Sequence, residues 1–267
     1  MKLLVPVKHV ASLRDGALVN GDGTLDADAL QWTPNEWDAF ALEAALALSE
    51  STPDDRGEVV VVSVGDGRAE ESLRAGLALG ADRAIRVWDD ALAAGPASGP
   101  DALAVARVLA AIAERERPEL ILCGAQSSDA ASAATGVALA GLLDLAHVAV
   151  VDEIERDDEQ LTVERDLEGG ASEVVRLSLP ALLTIQTGAN RPRRANLRAI
   201  KQARSEAISV LGLGELGLDT ATVAASFGSR TMRLRDRQHS SRATPIDGTP
   251  AEIAARIATI VEQALSR

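Results

Sequence analysis

Short apolar runs rich in β-branched residues alternate along this chain with longer stretches in which apolar residues recur every three or four positions. Lys2–Val7 is the first run; it is brief, stops at Lys8-His9 and reads as a buried strand. Leu18–Asp28, rich in Gly and Asp, predicts a turn or small hairpin. Thr33-Pro34-Asn35 then opens a helix. Asn35 is a good N-cap with Asp38 at N3, a capping-box-like spacing, and Trp37, Phe40, Ala41, Ala44, Ala45 and Leu48 share one face. Glu58–Val64, with valine at five of its seven positions, is a continuous run rich in β-branched residues, as expected of a strand covered on both faces. Asp66 caps a helix to Leu79, with Gly80 in the position of a C-terminal glycine. Arg83–Val87 is the next strand. Asp101–Arg117 is a helix with Val105, Val108, Leu109 and Ile112 facing inward, stopped by Pro118. Leu120–Cys123 is a strand, and a small-residue loop leads to a helix over Thr135–Leu143.

This strand–helix alternation predicts an α/β fold: a Rossmann-like open parallel sheet with right-handed crossovers and helices on both faces. The pattern then changes. His147–Glu155, Gln160–Leu167, Ser172–Leu177 and Ala181–Ile185 are strands, and Asp157-Asp158 and Gly169-Gly170 between the first three are hairpin turns. An antiparallel extension is therefore expected. After Gly188 regularity fails. Arg191–Arg204 holds six basic residues and no acid, Ser205–Arg242 has no sustained period, and Pro250–Leu265 is an amphipathic helix. The expected organisation is a nucleotide-binding domain over 1–190, a basic loop over 191–204 and a C-terminal arm over 205–267 that lies against a partner.

Composition narrows the function. Hydrophobic residues make up 46% and charged residues 25%, which excludes wholesale disorder. Aromatics are only 2%, so the core is aliphatic and binding by stacked bases is disfavoured. A net charge of −13 argues against nucleic acid as a partner. The single Cys123 and three scattered histidines (His9, His147, His239) supply no metal-ligand spacing. No apolar run is long enough for a membrane span, and the N-terminal run is too short for a signal segment. A cytoplasmic protein with no direct membrane insertion is expected.

In an open parallel sheet, ligands bind beyond the carboxyl ends of the strands. The most informative loop there is Cys123-Gly124-Ala125-Gln126-Ser127-Ser128-Asp129-Ala130-Ala131-Ser132-Ala133-Ala134-Thr135-Gly136. Its small side chains let backbone N–H groups approach an anion, and the helix that follows adds partial positive charge. A plain Ala-rich surface loop is the bland alternative. No Lys stands in Walker position, so this is not a phosphate-transferring P-loop. Gly65-Asp66-Gly67-Arg68-Ala69-Glu70 begins like a dinucleotide fingerprint, but Glu70 replaces the third small residue, and a structural cap is the better reading. No catalytic set is present: Ser127 and Ser128 lack a nucleophile elbow, and Cys123 at a strand end reads as a buried apolar residue. The residues point to an adenine-nucleotide binder and not to an enzyme. Arg191–Arg204 is a nucleic-acid patch, a solvated face or a docking arm. Leu197 and Ile200 at i,i+3 spacing within it favour a protein contact.

Ordered matches along the whole chain resemble the beta subunit of electron-transfer flavoprotein. They include Leu3-Leu4-Val5-Pro6-Val7-Lys8, Asn35-Glu36-Trp37-Asp38, Val62-Ser63-Val64-Gly65, Gly80-Ala81-Asp82-Arg83, Glu168-Gly169-Gly170, Leu179-Pro180-Ala181 and Arg191-Pro192-Arg193 with Leu197. Arg86-Val87-Trp88-Asp89-Asp90, Gln126-Ser127-Ser128-Asp129 and Leu197-Arg198-Ala199-Ile200-Lys201-Gln202-Ala203 are most similar to the methylotroph type that serves trimethylamine dehydrogenase. More widespread members carry an Asp-rich loop ending Asn-Gln-Thr-Gly; here the loop is Ala/Ser-rich and keeps Thr135-Gly136.

The resemblance implies a heterodimeric electron carrier, not an enzyme. Its alpha subunit bears the redox-active FAD and takes electrons from a flavin-containing dehydrogenase, while the beta subunit buries AMP. By the same implication AMP contacts fall on Pro6, Asn35, Glu36, Trp37, Asp38, Val64 and residues Gly124 to Thr135, that is Gly124, Ala125, Gln126, Ser127, Ser128, Asp129, Ala130, Ala131, Ser132, Ala133, Ala134 and Thr135. Leu13 and Trp37 match positions near the flavin edge. Leu197 matches the anchor of the partner-recognition loop, flanked by Arg194 and Arg198, and the arm from 205 packs on the alpha subunit. Two alternatives stand beside this: an NADH-linked bifurcating type with a second FAD in place of AMP, against which Thr135 argues, and a stand-alone adenine-nucleotide-binding protein.

Overall fold

Strand β1 (Lys2–Pro6) lies in the middle of the molecule's main sheet, and the rest of the fold is arranged about it. The computed structural model describes residues 1–13, 30–51, 56–93, 100–157, 160–225 and 243–266. They fall into two units, Met1–Leu234 and Arg235–Arg267. In the first, β1 is followed by an antiparallel pair, β2 (His9–Leu13) and β3 (Leu30–Pro34). Next come α1 (Glu36–Glu50), β4 (Glu58–Val64), α2 (Glu70–Leu79), β5 (Arg83–Val87), α3 (Ala102–Glu116), β6 (Leu120–Gly124) and α4 (Thr135–Leu143). Then follow β7 (Ala146–Val151), β8 (Glu153–Asp157), β9 (Gln160–Asp166), β10 (Ser172–Ser178), β11 (Ala181–Ile185), α5 (Leu197–Ala203), β12 (Ser209–Leu211) and α6 (Thr220–Ala225). The main sheet is parallel, in the order β12-β5-β4-β1-β6-β11-β7, and β8, β9 and β10 form a separate antiparallel sheet. The Rossmann-like α/β class is thus the observed one.

The continuous apolar runs conceal a period of two, because both sheet faces are buried. Leu3, Val5, Val59 and Val61 enter a core with α1 and α2, whereas Leu4, Val60, Val62, Ile85 and Val87 enter another with α3 and α4. Alanines on α1 and α3 let the helices lie close to the sheet in a chain with few aromatics. Gly169 and Gly170 turn the β9–β10 hairpin with φ of 84° and 78°, where a Cβ is disfavoured.

Three expectations are corrected. The strand expected over His147–Glu155 is two strands in two sheets. Val150 adopts φ of 64°, its N–H donates to Thr184 Oγ1 at 2.9 Å, and the β11–β7 register shifts between Leu183 and Ile185. This bulge sends the chain out of the parallel sheet toward β8. The boundary expected at 205 does not separate an arm, since β12 pairs with β5 and Leu211, Leu213 and Val223 are buried in the core. The capping box expected at Asn35 and Asp38 is absent: Asn35 makes no side-chain cap, because both side chains bond across to other loops. The turn expected over Leu18–Asp28 lies outside the described residues.

The second unit contains α7 (Pro250–Leu265), with Pro250 in its first turn and a capping box between Thr249 and Glu252. Ile257, Ile260, Val261 and Leu265 form an exposed apolar stripe on it. Among the described residues no helix is long and apolar enough to cross a membrane.

Candidate functional site

The exit of β1, the end of β6 and the start of α1 converge on the loop that joins β6 to α4. Gly124 ends β6 where α1 begins. A Cβ there would fall against Asp38 Oδ1 and only 2.8 Å from the Trp37 carbonyl carbon, so only glycine lets strand and helix approach this closely. Asn35, 2% exposed, holds the loop by both ends of its amide. Its Nδ2 donates to the Gln126 carbonyl at 2.9 Å, and its Oδ1 accepts the Ser128 N–H at 3.2 Å. Asp38 Oδ2 accepts the Lys8 N–H at 2.6 Å, tying the exit of β1 to α1. Lys8 reaches over the loop, its Nζ 2.7 Å from Asp129 Oδ1 and 3.3 Å from Ser127 Oγ.

The electrostatics follow from this packing. Burial pushes the Asp38 carboxyl up to about 7, against the pull of the Lys8 N–H, the Asn35 amide, the Lys8 charge and the Gly124 N–H. Burial also raises Asp129, but hydrogen bonds from Lys8 and Ser127 more than offset it and hold that carboxyl below its usual range. Burial, with Asp38 nearby, pushes the Cys123 thiol well up. A thiol held protonated and covered is a poor nucleophile. Cys123 should therefore resist a thiol-specific reagent in the native protein and titrate as one equivalent only after denaturation; rapid native labelling would contradict the placement.

Beyond Ser128 the loop is exposed and conformationally unusual. Ala131 donates its N–H to the Ser127 carbonyl at 2.8 Å, and Ala131 and Ala133 have φ of 49° and 50°. A left-handed residue beside a right-handed one, as at Ala133 and Ala134, is the backbone combination from which anion-binding turns are built. No side chain caps α4, so its first N–H groups are available to an anion.

The structure therefore brings Asn35 and Asp38 together with Gly124, Gln126, Ser127, Ser128 and Asp129, while Pro6 and Val64 close the adjacent strands. Glu36 is exposed and Trp37 half-buried beside Gly124. Leu13 ends β2, and its side chain lies outside the described residues. Leu197 begins α5 at 79% exposure, with Arg194 and Arg198 exposed on either side. Lys8 had no place among the expected site residues; the only local signal for it was a cation just past the end of the first strand. A second group is also new. The His9 ring stacks on Trp32 with centroids 6.1 Å apart, and the Arg68 guanidinium lies 3.9 Å from the Trp32 ring centre. Asp66 accepts the Arg68 N–H at 3.0 Å, so the segment that begins like a dinucleotide fingerprint is a cap. A concavity of about 510 Å³ lined by Arg117, Leu143, Leu145, Leu179 and Pro180 lies at the opposite, amino-terminal pole of the sheet.

Residues 22–216 match the family model of the electron transfer flavoprotein domain. The chain is 43% identical over 266 residues to the electron transfer flavoprotein subunit beta of Methylophilus methylotrophus, covering 98% of both chains. It is 36% identical over 220 residues to the beta subunits of Bradyrhizobium diazoefficiens and Homo sapiens, covering 82% of this chain and 84% of each of theirs.

Proposed function

The chain belongs to the electron transfer flavoprotein family, among its beta subunits, and on that premise we propose that it binds AMP as a structural ligand and supports an FAD-bearing alpha subunit. The loop between Gly124 and Thr135 is the observation that carries this reading: it is pinned from behind by Asn35 and leads with two left-handed alanines into an uncapped helix. Such a loop suits a phosphate held by backbone N–H groups, which an Ala/Ser sequence supplies as well as a polar one. Pro6, Asn35 to Asp38 and Val64 would form the rest of the cradle, with Gly124 keeping strand and helix in contact beneath it. AMP supplies no redox chemistry; it fills and orders the cradle.

The FAD that carries electrons is held mainly by the alpha subunit, with Leu13 and Trp37 toward its edge. A flavin-containing dehydrogenase docks at Leu197, with Arg194 and Arg198 beside it, and its electrons pass through the flavin to a further acceptor. The exposed apolar stripe of α7 suits packing on the alpha subunit, since a helix of this pattern gains most of its stability from a covered face.

Acid extraction of the co-expressed heterodimer tests the ligand. The expected yield is about one FAD and about one AMP per heterodimer, given a single anion-binding helix start in the cradle. Two FAD and no AMP would instead place the chain with the electron-bifurcating type.

A further inference from the structure

We propose that Arg193 and Arg74 are positioning residues that preform helix α5, holding it from both ends so that Leu197 projects from a fixed mount. The inference rests on the reading of Leu197 as the docking anchor. Seven residues are too few for a helix to persist by itself in water, so the order of α5 must come from its supports. Asn196 caps its start by accepting the Ala199 N–H at 2.9 Å. The remaining supports come from two other helices.

Upstream, Asn190 Nδ2 donates to the Phe40 carbonyl of α1 at 2.9 Å. Arg193 then lies along α1 between two carboxylates two turns apart. Its backbone N–H and its Nε each donate to Glu43 Oε2 at 2.9 Å, and a terminal nitrogen reaches Glu43 Oε1 at 3.0 Å. The two terminal nitrogens also donate to Glu50, at 2.7 and 3.0 Å. A planar guanidinium can grip each of the two carboxylates through a pair of N–H groups, a forked geometry that an ammonium cannot reproduce. Downstream, one terminal nitrogen of Arg74 on α2 donates to the carbonyls of Ala203, Arg204 and Glu206 at 2.9, 3.1 and 3.3 Å, where α5 ends. Ala203 is buried and Leu197 exposed, so the helix packs its far end into the fold and, with the segment before it clasped to α1, presents Leu197 at its near end.

Charge supports the same division of labour. Arg193 is neutralised by Glu43 and Glu50 and adds little to the field felt by a distant partner. Arg191, Arg194, Arg198, Lys201 and Arg204 remain to steer an acidic surface. A segment ordered before contact avoids part of the ordering cost of association, so loosening the mount should weaken docking without touching the anchor.

The test uses the full heterodimer and Arg193→Lys, which keeps the charge and loses the fork, with Arg74→Met as a second variant. Amide hydrogen exchange over Leu197–Ala203 should quicken about tenfold or more in each variant, with exchange in α3 and the β6–α4 loop unchanged. Binding to purified trimethylamine dehydrogenase, used as a flavin-containing docking probe, should weaken about tenfold in Arg193→Lys, but add no further loss in a Leu197→Ala background. Unchanged exchange in α5, or losses that multiply in the double variant, would overturn the proposal. If Leu197→Ala alone leaves binding intact, the docking reading fails, while the exchange measurement still decides whether the two arginines hold the helix.

Discussion

Replacing Gly124 by alanine should strip the protein of its nucleotide and lower its melting temperature together. The added methyl would collide with Asp38 Oδ1 and with the backbone of Trp37, and neither is the free end of a flexible chain. Relief requires α1 to move away from β6. That movement pulls the Asn35 amide off Gln126 and Ser128, which is why a packing error here becomes a binding error. Overpacking of this kind costs about 1–3 kcal/mol of stability. Gly67→Ala is the matched control, since a Cβ there meets nothing within 4 Å. Thermal melting and AMP content of the two variants, prepared with the alpha partner, decide the matter. A Gly124→Ala heterodimer that melts like wild type and retains AMP would refute the close-contact role.

The second large effect concerns pH. Asp38 has a carboxyl pushed up from 3.8 to about 7 in the fold. Between those values the folded chain holds a proton that the unfolded chain has lost, so stability falls as pH rises through the window and levels off above about 7. A displacement of this size corresponds to a loss on the order of 4 kcal/mol. Other groups act differently. Glu58, Glu116 and Asp129 have lowered values, so their contribution is present near neutrality and is lost as pH drops below the usual carboxylate range. His9 is lowered by burial, which outweighs the attraction of Glu71, so its contribution rises with pH up to about 6.5. Subtracting the Asp38→Asn curve from the wild-type curve removes these shared contributions. Asp38→Asn keeps an oxygen to accept the Lys8 N–H and cannot ionise, so it should gain stability relative to wild type between pH 4 and about 7. Parallel melting curves for the two proteins across that range would rule out a carboxyl displaced by burial.

What could be read from the chain divides according to how far apart the interacting residues lie. β4 was legible because seven consecutive residues carry its pattern, and α3 because its spacing and its stop at Pro118 are local. β12 has only three residues, and what marks it as a strand is β5, far upstream. Asn35 and Asp38 drew attention for the wrong local reason. Read alone they are a helix cap, whereas their partners lie across the fold in Lys8, Gln126 and Ser128. The β6–α4 loop was visible as a run of small residues, but the left-handed turns at Ala131 and Ala133 have no compositional sign, since alanine ordinarily avoids them. Arg193 looked like one more positive charge in a basic stretch. Only the placement of Glu43 and Glu50 on one face of α1 turns it into a clasp.

The order of strands in the main sheet also bears on how the chain is made. β1 leaves the ribosome before β4 and β6 yet is the central strand between them, and the edge next to β5 is closed by β12. During synthesis β1 waits for both neighbours, and β5 presents an open ladder until β12, far downstream, has been translated. Pairings this distant in sequence form slowly, and an open apolar edge invites pairing with other nascent chains. Slowing translation between β5 and β12, or overproducing the polypeptide faster than it can close, should therefore raise the insoluble fraction even when every finished copy is capable of folding.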